Sequence, residues 1–393
     1  MKLTLSCLLT MAVMLSLTTG CTETNSNADN HPKLEFVDGE LIPAEACGTC
    51  HQDIYSFWKG SVHATSAQND NFLETLQEVT SLAGEEKKAL CLTCHAPSSV
   101  LTGNLDLDDP LNAEGIGCDF CHSLTGTDLA QTESPFVLEV SEVKFGPVKD
   151  ASSTGHEVGY SEFHNDSRHC AGCHEYTTPN GVSLLTTYTE WEDYKEGGGT
   201  KSCQNCHMPL VMANVVDPKI KRVEHSFVNL HSMPGGHSRD QLTKSLRLKI
   251  MEMTKGEKGL AVKVQVTNEG AGHMVPTGSP SRKVILTVSV TAEGEEPVAE
   301  ERVYQRMVAD ADGEPIRTDA RLFLDSASVI GDTRIAPGEV RAEDFLLKVA
   351  LEKNLEIRAT LKYVFSPHDR PETATELSFF SETRRMMSSW TRY

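Results

Sequence analysis

Apolar positions fall into three textures along this chain. Met1-Lys2 is followed by an apolar run over 3–17, broken only by Thr4, Ser6 and Ser16. A short positive start and a brief apolar stretch predict an export signal over residues 1–20, too short for a membrane span of about 20 apolar residues. Residues 22–30 are polar with almost nothing to bury, so 21–40 reads as a flexible tether. Between 41 and 240 long strands are hard to find. The spacing predicts short helices over 52–59, 71–82 and 85–90, with loops carrying much of the rest. From Leu242 onward the pattern alternates with period two, at 246–250, 260–266, 283–290 and 355–364. Turn residues separate these runs, as in Ala292-Glu-Gly294, Ala311-Asp-Gly313 and Pro337-Gly338. About seven strands over roughly 120 residues predict an antiparallel β-sandwich of immunoglobulin type over 241–370, followed by a C-terminal tail over 371–393. The expected fold is therefore a mainly α and irregular domain of short helices, then an antiparallel β-sandwich.

Composition sharpens this picture through cysteine. There are 12 cysteines, and the β-rich half has none. Ten of them fall into five copies of one pentapeptide, Cys-x-x-Cys-His. The copies are Cys47-Gly-Thr-Cys50-His51, Cys91-Leu-Thr-Cys94-His95, Cys118-Asp-Phe-Cys121-His122, Cys170-Ala-Gly-Cys173-His174 and Cys203-Gln-Asn-Cys206-His207. This is the attachment signature for c-type haem. Two thiols bind one porphyrin, and the adjacent histidine sits under the iron as its proximal ligand. Zinc would use paired cysteines but has no reason to require a histidine after every second one. Histidine is only 15 of 393 residues, so five such neighbours do not arise by chance. Disulfides explain an even count and not the motif. The chain is read as carrying five covalent haems c, whose apolar faces replace side chains in the core of residues 41–240.

Formal net charge is -20. A surface this acidic repels phosphates and argues against nucleic acid. It favours basic redox partners, and equally keeps an exported protein soluble. No later run is apolar enough to span a bilayer. Leu17-Thr-Thr-Gly-Cys21 looks like a bacterial lipoprotein cleavage site, with Thr18 where leucine is usual. The expected location is the periplasm, or the outer membrane or cell surface through a lipid on Cys21.

Ten histidines lie outside the motifs, and low-potential multihaem proteins use a second axial ligand on each iron. Methionine is the alternative and raises the potential; bis-histidine ligation is the default expectation. His63 follows a predicted helix and is expected to serve a haem other than that of His51. His31, in the tether, and His368, after Pro367, are read as surface residues. His169 is pinned beside Cys170 and either reaches another iron or bonds a propionate. His164 and His225 are weaker candidates.

The segment 46–64, with Cys47-Gly-Thr-Cys50-His51-Gln-Asp-Ile-Tyr55 and Ser61-Val-His63-Ala64, resembles the opening haem segment of the multihaem cytochromes around hydroxylamine oxidoreductase and the tetrahaem cytochrome of ammonia oxidisers. Phe145-Gly146-Pro147 with His156 is similar to a further block of that superfamily. So is Cys203-Gln-Asn-Cys206-His207-Met208-Pro209 with His231-Ser-Met-Pro-Gly-Gly236-His237. Asn268-Glu-Gly-Ala-Gly-His273-Met-Val-Pro276-Thr277-Gly278, followed by Arg282, resembles the start of a β-domain found in many multihaem cytochromes. The resemblance implies that His63, His156, His231, His237 and His273 are the distal ligands, His273 tying the sandwich to the haems. All five motifs keep histidine, whereas pentahaem nitrite reductases carry a lysine at one. That departure argues against a nitrite-reducing site of that type.

The leading expectation is electron transfer through closely spaced haems in an anaerobic-type respiratory chain, with redox proteins or other cytochromes as partners and self-association left open. The alternative is a reductase or oxidase of a small nitrogen or sulfur compound at one five-coordinate haem. A third reading is a subunit of a conducting cytochrome assembly.

Overall fold

The computed structural model describes residues 34–131, 134–221 and 227–388. The predicted signal, Cys21, His31 and His225 lie outside the described residues. From Leu34 on, the chain forms one compact unit.

The haem-motif half is short helices joined by loops and two-stranded sheets. Helix Gln52–Lys59 matches its predicted bounds. Helix Asp70–Ala83 starts where the Asn69 side chain accepts the N–H of Asn71 and stops at Gly84, whose φ is 97°. Its buried residues Phe72, Leu76 and Val79 recur with helical period. Phe72 and Leu76 pack with Leu92 and Ala96 into a small core beside the second motif. Helix Cys203–His207 holds the fifth motif and opens with a capping box between Ser202 and Asn205. Three other motifs also lie on short helices: Lys88–His95, Cys118–Ser123 and Arg168–His174. A helical Cys-x-x-Cys-His turn puts both thiols and the imidazole on neighbouring positions of one surface. Residues 34–40, predicted as the end of the tether, lie against this half. The Gly39 N–H donates to the Val140 carbonyl at 2.9 Å, and Phe36 meets His156 edge-on.

The other half contains two antiparallel sheets. One orders Val340–Leu347, Gly259–Asn268 and Leu246–Gly256. The other orders Val298–Tyr304, Arg282–Ala292, Leu355–Phe365 and Thr375–Met386. Alternate residues of both sheets share one core, including Val264, Val266, Leu286, Val288, Val290, Ile357 and Leu361. Each fully buried aliphatic side chain contributes about 1.5–3 kcal/mol. The region expected as a tail, 371–393, instead supplies the edge strand Thr375–Met386, paired with Leu355–Phe365 along its whole length. Glu376, Glu382, Arg384 and Arg385 interrupt this strand's pattern, which hides the alternation of Leu377 and the buried Phe379.

The halves are joined by buried polar contacts. Glu190, on helix Thr187–Glu196, receives Arg334 Nη1 at 2.5 Å, Thr186 Oγ1 at 2.7 Å, Thr277 Oγ1 at 2.7 Å and Met274 N at 3.1 Å. Val182 and Leu184 pack against Val308, Ile316 and Leu322.

Candidate haem-binding centre

Every motif cysteine is free, with its side chain partly buried. Thiols of different motifs meet in pairs, hydrogen-bonded Cys47 with Cys118, Cys94 with Cys173, and Cys170 with Cys203. Motif one thus touches motif three, two touches four, and four touches five. Cys121 acts electrostatically on Cys170 and Cys173, which brings motif three beside motif four. Among the described residues no three histidine, cysteine, aspartate or glutamate side chains converge as a metal-ion site.

The imidazoles stand in pairs. His51 is opposite His156 at 6.2 Å between ring centres, and His63 is opposite His174 at 6.4 Å. His122 is opposite His231 at 6.4 Å, and His207 is opposite His273 at 6.3 Å. In most of these rings Nδ1 lies against a backbone carbonyl. The partners are Val215 for His51, Phe145 for His122 and Pro234 for His207, at 2.5, 2.6 and 2.6 Å. They are Glu157 for His156, Asn229 for His231 and Met274 for His273, at 2.7, 2.6 and 2.8 Å. A carbonyl can only accept, so the Nδ1–H donates and Nε2 keeps its lone pair. That is the tautomer and anchoring a metal-ligating histidine uses. His63 turns Nδ1 to the Met233 sulfur at 3.1 Å. Burial pushes His63 and His231 down to about 4 and His174 to about 3, so these rings are neutral.

His95 differs. Its Nδ1 faces the Ser66 carbonyl at 3.2 Å, and burial pushes it down to about 4. Its ring stacks on Phe72 at 4.1 Å and 13°, and among the described residues no imidazole is paired with it. The Arg282 charge lowers it further.

Of the distal ligands implied by resemblance, His63, His156, His231 and His273 each stand opposite a motif histidine. His237 does not. It is exposed, in the loop before helix Arg239–Ser245, and makes no ring contact among the described residues. Its charge reaches His63, and it feels Arg282, but it pairs with no motif imidazole. The loop passes close to Tyr363, whose hydroxyl is 3.2 Å from where a Cβ on Gly236 would sit. His164 stacks 5.6 Å from His122, but its Nε2 lies 3.2 Å from the Cys121 carbonyl. His169 Nε2 lies 3.3 Å from the same oxygen. Their Nε2 atoms are engaged, which favours His231 opposite His122. His368, read from sequence as a surface residue, is buried between helix Asp70–Ala83 and the loop after strand Leu355–Phe365. Phe72 and Glu190 carry no sequence signal of a site; only their contacts reveal them.

The residues present fit haem c: five thiol pairs, each followed by an imidazole, and space bounded by opposed rings. Among proteins of known structure, a penta-heme cytochrome c552 from Thermochromatium tepidum matches with a TM-score of 0.70 at 22% identity, over 89% of this chain and 100% of that one. At that identity the match shows the fold, which is that of a multihaem c-type cytochrome. A family model described as cytochrome c554 and c-prime matches residues 46–123, which span the first three motifs. A β-glucosidase from Kluyveromyces marxianus matches 36% of this chain and 15% of its own at 13% identity, with a TM-score of 0.15, and carries no argument. No curated protein matches the chain.

Proposed function

We propose that this chain is an electron-transfer cytochrome with five covalent haems c, four of them bis-histidine and the fifth, on His95, open on one side. The ring pairs carry this reading. Two imidazoles bound to one metal from opposite sides, at the ~2 Å usual for histidine nitrogen, have ring centres about 6 Å apart. Four pairs lie at 6.2–6.4 Å, and His95 faces Phe72 instead. The thiol contacts support a haem order of one, three, four and five, with the His95 haem branching from the fourth. Electrons would run along the bis-histidine series, whose low potentials suit respiratory electron delivery.

The open His95 position favours a second role, binding and reducing a small nitrogen or sulfur compound there. An open iron position is where such chemistry occurs. The chain's own part is to anchor Nδ1 on Ser66, to block one flank with Phe72 and to hold Arg282 near the site. The seven-strand half is read as a separate sandwich domain that contributes His273. Export, a lipid on Cys21 and basic redox partners are further parts of the proposal, supported by the leader pattern and the acidic charge. Among the described residues no helix is long and apolar enough to cross a membrane. The test is carbon monoxide titration of the reduced holoprotein. One equivalent bound supports an open haem; none bound shows that all five irons are saturated and leaves electron transfer alone.

A further inference from the structure

The strands Leu210–Met212 and Phe227–Asn229 form an antiparallel pair, with Leu210 opposite Asn229 and Met212 opposite Phe227. Side chains alternate across a strand, so Val211 and Val228 turn inward, and Val228 is buried. Leu210, Met212 and Phe227 share the outer face, at 67%, 73% and 60% exposure. Met212 and Leu210 are the two most exposed large apolar side chains among the described residues. The three expose roughly 400 Å², the size of a functional patch on a monomer. The pair is built onto three of the opposed imidazoles. It begins just after His207, and the Asn229 side-chain amide donates to the Met208 carbonyl at 2.9 Å. His231 sets Nδ1 on the Asn229 carbonyl. Past Met212, the Val215 carbonyl holds His51 Nδ1, the Asp217 N–H donates to the Cys50 carbonyl at 2.8 Å, and the Asp53 carboxylate fixes Asn214. The Val215 side chain is itself exposed, so a single residue separates solvent from the His51 ring. Charge also reverses sign here. Among residues 210–221 and 227–231 the exposed charges are Lys219 and Lys221, and neither pairs with a carboxylate among the described residues. The one carboxylate, Asp217, is buried and accepts the Lys219 N–H at 2.9 Å. On a chain of net charge -20 this is a cationic spot joined to an apolar one.

We propose that this face, Leu210, Met212 and Phe227 with Lys219 and Lys221 on the connecting loop, docks a one-electron carrier whose redox centre lies in an apolar patch rimmed by carboxylates. This rests on the reading of the chain as an electron-transfer cytochrome and names the partner of its His51 haem. One electron passes between the carrier's centre and that haem's iron, oxidising one and reducing the other, and no bond or proton moves. The area is about half of the ~800 Å² that each side of a stable complex buries, and it suits the small, transient interfaces of redox proteins. A lasting pair of two copies of this chain would need more, and would set -20 against -20. At about 0.15 M salt, charges farther apart than about 8 Å are largely screened, so an acidic carrier meets the two lysines rather than the net charge. A basic partner, favoured by the acidic surface as a whole, is directed elsewhere, which separates the two partners a relay needs.

The test is stopped-flow reduction of the oxidised holoprotein by two probes: reduced plant-type ferredoxin, which is acidic, and photoreduced lumiflavin, which is small and uncharged. Lys219→Glu combined with Lys221→Glu should slow reduction by ferredoxin about fivefold or more at about 0.15 M salt, the gap closing near 1 M, with lumiflavin rates unchanged. Leu210→Ser combined with Met212→Ser should raise the ferredoxin concentration for half-saturation about fivefold or more, with the haem spectra unchanged. Should the serine variant fail to take up its haems, the lysine variant carries the test, because both lysines are exposed and unpaired. Ferredoxin kinetics unchanged in either folded variant overturn the docking face. So does an equal loss with lumiflavin, or a shifted haem spectrum in the serine variant, which would show these side chains packing on porphyrin. A wild-type dimer in gel filtration that the serine variant dissolves also overturns it and makes the face a self-association surface. Wild-type haems that neither probe reduces overturn the electron-transfer reading itself.

Discussion

Glu190 offers the sharpest energetic test of how the two halves hold together. Its side chain and that of Arg334 are 7% and 6% exposed, so the pair has almost no water to fall back on. The carboxylate takes four donors, one of them the N–H of Met274, directly after His273. Removing one partner of a buried pair costs about 3–5 kcal/mol, because the other charge is left uncompensated. Arg334 keeps Asp332 at 2.8 Å, which places Glu190→Ala at the lower end, about 3 kcal/mol. At roughly 2.1 cal/mol/K of unfolding entropy per residue, a unit spanning Leu34–Tyr393 loses about 1.3 °C in Tm per kcal/mol, so the expected fall is about 4 °C. Glu190→Gln keeps the shape and one acceptor and is expected to lose about half as much. The assay is a thermal scan of the holoprotein followed at the Soret band, with a low-spin marker for the His207 haem. A second signature separates positioning from bulk stability: below its Tm, the alanine variant should show a weakened low-spin signal from that haem alone. A Tm within about 1 °C of wild type, far inside the shift expected for a buried pair, would refute the idea that this carboxylate joins the halves.

Three further outcomes follow from the geometry. His273→Ala should turn one low-spin haem high-spin, read by near-infrared magnetic circular dichroism; an unchanged spectrum would make His273 only a turn residue. Intact mass should exceed the processed polypeptide by five haems, and fully matured protein with fewer would break the motif reading. Glu114, raised to about 7 chiefly by burial, holds the Ala44 N–H at 2.8 Å. A carboxyl whose folded pKa lies above its unfolded value binds its proton more tightly when folded, so its contribution to stability is lost as pH rises from about 4.5 to about 7. Denaturant midpoints should fall across that window, and Glu114→Gln should flatten the fall; an equal fall in the variant would assign it to other groups.

The haem motifs were legible in sequence because their chemistry demands adjacent residues. The helix over 52–59 and the strands from 246 onward were legible because burial imposes a period. The edge strand Thr375–Met386 was hidden because only one of its faces is buried, so charges interrupt the alternation. The imidazole pairs were harder, since what brings them together is a partner far away in sequence: His51 with His156, or His207 with His273. Resemblance supplied four that stand opposite a motif histidine and one, His237, that does not. His368 looked like a loop histidine after a proline, and only the packing of helix Asp70–Ala83 against that loop buries it. Nothing local marks Phe72 as the residue facing His95; it reads as an ordinary core position of an amphipathic helix.

The central claim is four ring pairs and one open iron, and the most direct measurement is a count of spin states in the oxidised holoprotein. Electron paramagnetic resonance with near-infrared magnetic circular dichroism should give four low-spin bis-histidine haems and one high-spin haem, with the high-spin signal retained in His237→Ala. Five low-spin haems, or a high-spin signal that appears only when His237 is removed, would contradict the account and show that His95 has a distal partner.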